Sequence, residues 1–439
     1  MDRMPQELLV LIGEHIQDSS DSQSTLSALS LCCRHFHNVF QPMVCHSITA
    51  AYPISVNFIR FIMRLWRQPE LASHVRRLEL CWSRCDQENV DEAVMDKLRE
   101  EEPYLGSFIQ DALDEIFSPE EEDMRIEWEE HLDNPESLCG EAWLGLLLVR
   151  TNRLQTIEFQ HEGTELMSNI LHKAATRQRP FEKAPPFPHL QEVRANVAWG
   201  ASWIDSGFLT PFFYLPSVRR IYGSAIGENR VDGNTMLDKS YNSSQVREID
   251  IAEAYWCRGM VDWLGACTKL ERVSIKIEIQ ADEYEISDSD KFDASLFRAL
   301  LLPSAATLRS LRIYYYLVEG DPDAPFGTFK DFIGLEDLLV RHSQLIDTQS
   351  LAQILPVSLK RLEIIDMMGT DGDLAQLLWD LEGLLQPGCC ENLEELVLHL
   401  DLGSEDPDPD LDSIQALFTL DLECGKKGVR LNIKEPEDY

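Results

Sequence analysis

Three short stretches of this 439-residue chain combine residue types that could bind a metal ion. His35 and His37 are two residues apart, and on a helix side chains at that spacing diverge, so we do not expect them to share a metal. The stretch "CWSRC" (81–85) is a lone cysteine pair without a second pair at zinc-site spacing. The stretch "DPDPDLD" (406–412) resembles the start of a calcium loop, but it lacks the central glycine and has Leu417 where the terminal glutamate should be. We therefore expect no bound metal and interpret the third stretch as an acidic surface loop.

Sequence motifs of covalent and nucleotide-dependent catalysis are missing. The chain contains no Gly-x-Ser-x-Gly elbow, no phosphate-binding Gly-Lys-Ser/Thr loop and no Gly-x-Gly-x-x-Gly. Carboxylates are so numerous that no pair of them is distinguished as a general acid and base. We expect no catalysis and no cofactor; an enzyme with an unrecognised site would need a pocket with convergent polar groups and shifted pKa values.

Charge and cysteine content restrict the class of protein. The chain has 76 acidic and 39 basic residues and a formal net charge of −37, so it repels phosphate backbones and we expect no nucleic-acid partner. Its 11 cysteines are scattered and odd in number, which favours a reducing compartment over a disulfide framework. The N-terminus lacks a signal-peptide pattern, and the longest apolar run, residues 143–149, is far below the roughly 18 residues of a membrane span. We predict a cytoplasmic or nuclear protein without a membrane partner.

Two apolar helices are predicted within the first 48 residues. The first is "MPQELLVLIGEHI" (4–16), in which Pro5 suits the first helical turn. A polar linker at 18–24 precedes a second predicted helix at 25–40, which Pro42 should end. Two helices of this length cannot bury both apolar faces by themselves. They must pack against the rest of the chain or against another protein.

A six-residue motif, apolar-x-x-apolar-x-apolar, recurs along the rest of the chain, and we call it the repeat motif. Its copies are VRRLEL (75–80), LQTIEF (154–159), LQEVRA (190–195), VRRIYG (218–223), VREIDI (246–251), LERVSI (270–275), LRSLRI (308–313), LEDLLV (335–340), LKRLEI (359–364) and LEELVL (393–398). The sequence VRLNI (429–433) closes the series. Most intervals after the second copy are about 24 to 38 residues, within or somewhat above the range of leucine-rich repeats.

The repeat motif predicts a β-strand whose alternate residues point into a shared core. Its first apolar residue, three before the central one, should pack the incoming turn. Helical patterns, such as residues 294–308 and 371–386, separate the copies. Strand, turn, helix and strand form the unit of a curved α/β solenoid with a parallel sheet. An ordinary α/β domain with similar strands is the alternative.

Two segments interrupt the repeats. Residues 86–136 carry roughly twenty carboxylates and only three basic residues, yet apolar residues recur there at helical spacing. We interpret this segment as an insertion of mobile acidic helices. The second interruption, "LGSEDPDPDLDS" (402–413), is predicted to be a loop.

The N-terminal region resembles an F-box. The match consists of Pro5, Glu7, Leu8, Leu9, Ile12, Leu26, Leu29, Leu31, Cys33, Arg34, Phe36 and Pro42. Met4 stands where the family usually has leucine, which is a mild change. Residues 58–80 resemble the junction into the repeats in fungal F-box proteins with leucine-rich repeats. Together the similarity spans most of the chain except the acidic insertion.

The resemblance implies an F-box at 1–48 and a leucine-rich-repeat-like solenoid at 49–439, with the acidic insertion at 86–136. F-box proteins are substrate-receptor subunits of Skp–cullin–F-box ubiquitin ligases. The F-box binds the Skp adaptor and through it the cullin, the second domain binds a protein substrate, and the partners carry out the ubiquitin chemistry. The alternative is a non-catalytic repeat scaffold that mediates protein–protein interactions outside a ligase.

By the same resemblance, the first two helices contact the adaptor. The contact residues would be Pro5, Leu8, Leu9, Ile12, Leu29, Cys33 and Phe36. Packing within the F-box alone is the alternative for each of them.

The substrate surface is less defined by the sequence. Candidate surface aromatics, for which core packing is the alternative, are Trp199, Trp203, Phe212, Tyr214, Tyr314, Tyr315 and Tyr316. The acidic chain disfavours phosphopeptides unless a basic cluster is locally exposed. Arg219 and Arg220 are one candidate pair, but they lie inside a repeat motif, which favours an ordinary solvated strand face.

Overall fold

The computed structural model shows mixed α/β structure in two compact units. The first unit comprises residues 1–204 and 208–218, and the second comprises residues 205–207 and 219–439. The described residues are 4–17, 22–50, 54–81, 92–133, 140–160, 165–197, 203–227, 244–255, 260–278, 292–315, 325–345, 350–365, 371–386, 389–400 and 411–434.

The first unit contains ten α-helices and a four-stranded parallel sheet among its described residues. The helices are α1 (Gln6–Gln17), α2 (Ser22–Ser30), α3 (Arg34–Val44), α4 (Val56–Arg67), α5 (Pro69–Ala72), α6 (Glu92–Glu101), α7 (Leu105–Ile116), α8 (Glu122–Asp133), α9 (Gly140–Arg150) and α10 (Glu165–Thr176). The strands, in sheet order, are β1 (Ser47–Ala50), β2 (Arg77–Leu80), β3 (Thr156–Phe159) and β4 (Glu192–Ala195). Their central apolar residues pair in one buried row, because Ile48, Leu78, Ile157 and Val193 are in register.

The predicted second helix is in fact two helices, α2 and α3. The chain breaks at Cys33, whose backbone is extended (φ −162°, ψ 166°) and whose Sγ accepts a hydrogen bond from the backbone N–H of Phe36 at 3.5 Å. A side chain that binds the N–H groups of the next turn starts a new helix and does not continue the old one. Pro42, predicted to end the helix, lies inside α3, where the backbone bond from Cys45 N–H to the Gln41 carbonyl (3.3 Å) still closes the last turn.

The F-box boundary predicted after residue 48 falls inside β1. Cys45, Ile48 and Ala50 have the spacing of the three apolar positions of the repeat motif, and all three are buried. β1 pairs with β2 from Ser47↔Arg77 to Ala50↔Leu80. The parallel sheet therefore begins before residue 48, one strand earlier than the sequence analysis predicted.

The acidic segment 86–136 is helical where it is described, as predicted, and its apolar face is buried. Phe108 of α7 packs edge-on against Trp66, with ring centroids 6.1 Å apart, and stacks on Trp143 at 6.4 Å. Lys173 of α10 is fully buried, forms an ion pair with Glu121, and lies 4.6 Å from the ring centre of Phe117. These contacts make the acidic helices part of the core of the first unit. The prediction that they form a mobile insertion is therefore wrong for the described part of the segment.

Two short elements, β5 (Ile204–Asp205) and α11 (Ser206–Leu209), contain residues assigned to both units. Three 3-10 helices are described: Pro119–Glu121, Thr210–Tyr214 and Leu302–Ser304.

The second unit contains a longer parallel sheet with helices between its strands. Its strands are β6 (Arg220–Gly223), β7 (Ile226–Gly227), β8 (Glu248–Tyr255), β9 (Arg272–Glu278), β10 (Ser310–Tyr315), β11 (Asp337–Arg341), β12 (Arg361–Ile365), β13 (Glu395–His399) and β14 (Arg430–Lys434). The sheet order is β6-β8-β9-β10-β11-β12-β13-β14, and β7 pairs alongside β8. The helices are α12 (Val261–Ala266), α13 (Ala294–Leu301), α14 (His342–Leu345), α15 (Leu351–Ile354), α16 (Asp371–Leu384) and α17 (Leu411–Lys427).

The repeat motif correctly predicts the strands of both units. In each of its ten complete copies a strand begins at the third residue of the motif, and β14 begins at the second residue of VRLNI. The first residue of every copy is buried, as expected for the residue that packs the incoming turn. The second residue of one copy donates its backbone N–H to the second residue of the previous copy. Glu336 to Arg309, Lys360 to Glu336 and Glu394 to Lys360 are each 2.8 Å apart.

Most of the second segment predicted to interrupt the repeats, residues 402–413, lies outside the described residues. Residues 402–410 are not among the described residues, and residues 411–413, predicted as loop, form the start of α17. No helix within the described ranges is both long enough and apolar enough to cross a lipid bilayer.

Candidate protein-interaction surfaces

The three N-terminal helices build a small core of their own within the first unit. Leu9, Leu26, Phe36, Val39 and Phe40 form this N-terminal core, and the rings of Phe36 and Phe40 meet edge to face at 5.4 Å. α1 approaches α3 so closely at Gly13 that an added Cβ would lie 2.2 Å from the Met43 sulfur. One face of α1 is therefore fully used in packing.

The opposite face of α1 carries apolar side chains into solvent. Leu8, Leu11 and Ile12 are 49%, 59% and 42% exposed, and we call them the exposed apolar row. Met4, at 38%, precedes the row, and its carbonyl lies 3.4 Å from His35 Nε2. Residues three and four apart on a helix are neighbours, so the row is one continuous strip. Covering such half-exposed side chains gains about 1 kcal/mol each, which makes this strip suited to a protein partner.

The seven predicted adaptor contacts separate into exposed and buried groups. Pro5, Leu8 and Ile12 are exposed, and the Pro5 carbonyl accepts hydrogen bonds from the first turn of α1. Leu9 and Phe36 are buried in the N-terminal core, at 2% and 7% exposure, so their side chains stabilise the helices instead of lining a surface.

The two remaining predicted contacts are only partly exposed, and two further exposed leucines were not among the predicted contacts. Leu29 and Cys33 are half-buried against the N-terminal core. Leu11 belongs to the exposed apolar row, and Leu31, in the turn between α2 and α3, is 83% exposed. The helical spacing 8, 11, 12 could have identified Leu11 from the sequence alone.

The second surface is the polar face of the sheet in the second unit. When the copies of the repeat motif are aligned, their second residues alternate in charge, in the order Arg247, Glu271, Arg309, Glu336, Lys360 and Glu394. Neighbours in this column form ion pairs: Arg247–Glu271 at 2.8 Å, Arg309–Glu336 at 3.0 Å and Lys360–Glu336 at 2.8 Å. This column is visible in the sequence alone when the copies of the repeat motif are aligned position by position.

The third residues of the motif form a parallel column of charges. Arg361 lies between two carboxylates of the neighbouring strands, with its Nη1 3.6 Å from Asp337 and its Nε 3.0 Å from Glu395. Arg312 on β10 also reaches Asp337, at 3.4 Å. Opposite charges on adjacent strands favour one pairing register, because a slip would bring like charges together.

Glu363 is the centre of this polar network. Its side chain is 2% exposed, and both carboxylate oxygens contact cations or an imidazole: Arg361 Nη2 and His399 Nε2 at 2.8 Å, Lys434 Nζ at 3.5 Å, and Arg312. Burial alone would raise the pKa of the Glu363 carboxyl. The hydrogen bond with His399 and the charges of Arg312, Arg361 and Lys434 outweigh burial and lower this pKa to about 2. Glu363 is therefore a carboxylate at every physiological pH.

A cleft of about 530 Å³ opens on the same face, between β6 and β11. Tyr222, Asp250, Arg272 and Ser274 contribute hydrogen-bonding groups of both kinds to its lining. Arg272 and Asp250 place charges of opposite sign in this lining. The cleft has mixed polarity, because Ile249 and Val273 line it together with these polar groups.

The candidate surface aromatics that the structure describes are buried or half-buried. Phe212 and Tyr315 are buried, which contradicts their assignment to the surface. Trp203, Tyr214 and Tyr314 are half-buried, and Trp199 and Tyr316 lie outside the described residues. Arg219 and Arg220 are half-buried at the start of β6 and both take part in interactions, so they form no open basic pair.

Metal-binding groups do not assemble in the part of the chain that the structure describes. Among those residues no cluster of three or more His, Cys, Asp or Glu side chains is placed to hold a metal ion. Cys81 is half-buried, while residues 82–85 and 406–410 lie outside the description.

Comparison with known proteins does not assign the chain to a family. No protein-family model matches it, and no curated protein matches it either.

Proposed function

We propose that this chain is the substrate-receptor subunit of a Skp–cullin–F-box ubiquitin ligase. Its N-terminal helices bind the Skp adaptor, and a leucine-rich-repeat-like solenoid binds a protein substrate. The observation that carries the proposal is the exposed apolar row on α1, because a helix that packs with one face and exposes leucines and an isoleucine on the other is built for a partner. The resemblance of the same residues to an F-box names that partner.

The repeats support the second half of the proposal. Parallel strands alternate with helices along the second unit, and the apolar positions of each repeat are buried by its neighbours. The opposite face of the sheet presents charges of both signs and a cleft of about 530 Å³. Such a surface binds by charge complementarity, which selects one protein substrate among many.

The proposal also implies a location in the cytoplasm or nucleus, where these ligases act. All eight cysteines in the described ranges are free thiols, which a reducing compartment maintains.

Adaptor binding tests the proposal. The full chain is immobilised and incubated with purified Skp adaptor, and retention is compared with that of a Leu8→Glu/Ile12→Glu variant. Two charges placed in the exposed apolar row should reduce adaptor affinity by about 100-fold, because each buried apolar anchor contributes about 1–2 kcal/mol. Exposed positions are chosen because substitution of buried Phe36 would disturb the helices themselves.

A matched control separates a local effect from general damage. The Leu296→Glu/Leu422→Glu variant alters two leucines that are 45% and 61% exposed on helices of the second unit, and it should retain full adaptor binding. Circular dichroism must show that all three proteins are folded. A folded wild-type chain that does not retain the adaptor would contradict the ligase proposal and leave a repeat scaffold that acts outside a ligase.

A further inference from the structure

A cleft of about 500 Å³ lies in the first unit between α3 and the α4–α5 segment. It is separate from the exposed apolar row, none of whose residues lines it. His37, Asn38 and Gln41 line it from α3, and Arg64, Arg67 and His74 line it from the other side. Its volume is that of a site for a small ligand or a side chain with its flanking residues.

The charge in this cleft is opposite to that of the chain. The chain carries about twice as many acidic as basic residues. Among the described residues that line the cleft, two arginines and two histidines face a single carboxylate, that of Glu70. A local reversal of charge on a protein with a net charge of −37 attracts an anion that the rest of the surface repels.

The cationic groups are not used up by internal contacts. Arg64 and Arg67 are three residues apart on α4, so they lie on the same side of the helix. Both are exposed, and the side-chain bond of Arg64 is to the amide oxygen of Gln68, at 3.3 Å. Arg67 forms a long ion pair with Glu102, in which Nη1 lies 3.9 Å from the carboxylate oxygen, too far for a hydrogen bond. Most of the guanidinium N–H groups therefore remain available.

The donor set indicates the chemistry of the ligand. The two guanidinium groups offer only N–H donors, and the side-chain amides of Asn38, Gln41 and Gln68 add further N–H donors together with acceptor oxygens. A phosphate dianion has three acceptor oxygens on one small centre and binds arginine in a bidentate manner. A single carboxylate would leave several of these donors without a partner.

We propose that this cleft binds a phosphomonoester group displayed on a peptide. Pro42, Pro69 and Leu71 provide apolar contacts for the residues that flank the phosphorylated side chain. The structure thereby provides the locally exposed basic cluster that an acidic protein needs for phosphopeptide binding, at a position different from Arg219 and Arg220. The proposal does not depend on adaptor binding, so either one can fail without the other.

Inorganic phosphate is the first probe. The full chain is labelled with [¹³C]histidine and titrated with phosphate at constant ionic strength and pH 7.5, with chloride as the reference anion. The ring signals of His37 and His74, assigned by His37→Gln and His74→Gln, should shift with saturation. The signal of His172, which is exposed on α10, should not. Equal behaviour of all three signals, or no difference from chloride, would overturn the proposal.

Two arginine substitutions test whether the cleft is responsible. The Arg64→Ala/Arg67→Ala variant should bind phosphate about 100-fold more weakly, because each charge-assisted hydrogen bond accounts for about a tenfold change in affinity. The Lys426→Ala/Lys427→Ala variant removes the same net charge from the end of α17 and should bind phosphate like the wild type. Equal loss in both variants would mean that net charge, and not the cleft, is responsible.

A peptide pool then distinguishes the source of the phosphate. A degenerate pool with a fixed central phosphoserine is passed over the immobilised full chain and compared with the same pool carrying serine. The phosphorylated pool should be retained, and the Arg64→Ala/Arg67→Ala variant should lose that retention. Binding of inorganic phosphate without any preference for the phosphorylated pool would overturn the peptide part of the proposal.

Discussion

At the scale of single residues, the most constrained side chain in the second unit is a carboxylate. Glu363 is buried, yet it is surrounded by Arg312, Arg361, Lys434 and His399, so the charge has partners on four sides. Removing one member of a buried ion pair is costly because the remaining charges lose their compensation. The residue therefore stabilises the pairing of β10 to β14.

The low pKa of Glu363 predicts how stability depends on pH. Because the carboxyl has a pKa of about 2 when folded, against 4.5 without the fold, its contribution is fully present above pH 4.5 and is lost as the pH falls toward 2. This difference corresponds to about 3 kcal/mol. The Glu363→Gln variant should lose a similar amount at pH 7 and should show a smaller further loss between pH 4.5 and 2. Urea unfolding followed by circular dichroism measures both quantities.

The control for this prediction is Glu395→Gln. Glu395 contacts Arg361 at 3.0 Å, but its side chain is partly exposed, so we expect a loss of at most about 1 kcal/mol at pH 7. An equal decrease in the free energy of unfolding for Glu363→Gln and Glu395→Gln would contradict the central role of Glu363 in the network.

At this scale the sequence predicted the secondary structure of individual residues better than it predicted their burial and their neighbours. The spacing of Leu8, Leu9 and Ile12 correctly predicted an apolar helix. It could not decide that Leu9 is buried while Leu8 and Ile12 are exposed, because that depends on where α3 lies. In the same way, Glu363 is one of many glutamates in the sequence, and only its neighbours on adjacent strands distinguish it.

At the scale of elements, α9 is a helix without a polar face, and packing against its neighbours buries it on all sides. Residues 141–149 of this helix are all buried, and Trp128 of α8 lies directly over Gly145. A Cβ added at Gly145 would lie 2.4 Å from the Trp128 ring, which is itself fully buried. The glycine that interrupts the longest apolar run of the sequence therefore lies where α9 is in close contact with Trp128 of α8.

This contact predicts opposite effects for two glycine substitutions. Gly145→Ala should destabilise the protein by about 1–3 kcal/mol, because overpacking against Trp128 exceeds the gain in helix propensity of about 1 kcal/mol. Gly106→Ala in α7, where nothing lies within 4 Å of the added methyl group, should instead be neutral or stabilising by up to about 1 kcal/mol. Thermal unfolding of both variants measures the difference. A stabilising Gly145→Ala would show that α8 and α9 can separate freely.

Elements with a strong local pattern were predicted well. The repeat motif identified the strands of both units except β1 and the two-residue strands β5 and β7, because alternation of apolar residues is a property of the strand itself. The second predicted helix failed at Cys33, where a cysteine acts as N-cap. Cysteine is not among the residues that usually signal a helix start, so periodicity alone carried the prediction through the break.

At the scale of the whole molecule, the last described strand protects the sheet of the second unit. β13 is buried along most of its length, with Leu396, Val397 and Leu398 almost fully inaccessible. β14 covers its edge, and four of the five residues of β14 are exposed. Its charged residues Arg430 and Lys434 make it a poor template for pairing with another chain.

Truncation tests this role. A chain that ends at residue 428 should be less stable by about 2–4 kcal/mol and should aggregate, because β13 becomes an apolar edge strand. A chain that ends at Lys434 retains β14 and should behave like the full protein. Light scattering and thermal unfolding of the two truncated chains measure aggregation and stability. Two equally soluble and equally stable chains would show that β14 does not protect the edge.

The sequence by itself determined the strands, the helices between them and the acidic character of the surface. These depend on the spacing of apolar residues and on composition, and both are local properties that survive without knowledge of any partner. Only the tertiary structure decided which apolar residues of α1 remain exposed, which carboxylate lies at the centre of a cationic network, and where arginines and histidines gather into one cleft. His37 lies 27 residues before Arg64 in the sequence, and only the tertiary fold brings it to the same cleft as Arg64 and His74. The exposure of a side chain and the electrostatic potential around it depend on all the residues packed near it, and most of these residues are distant in the sequence.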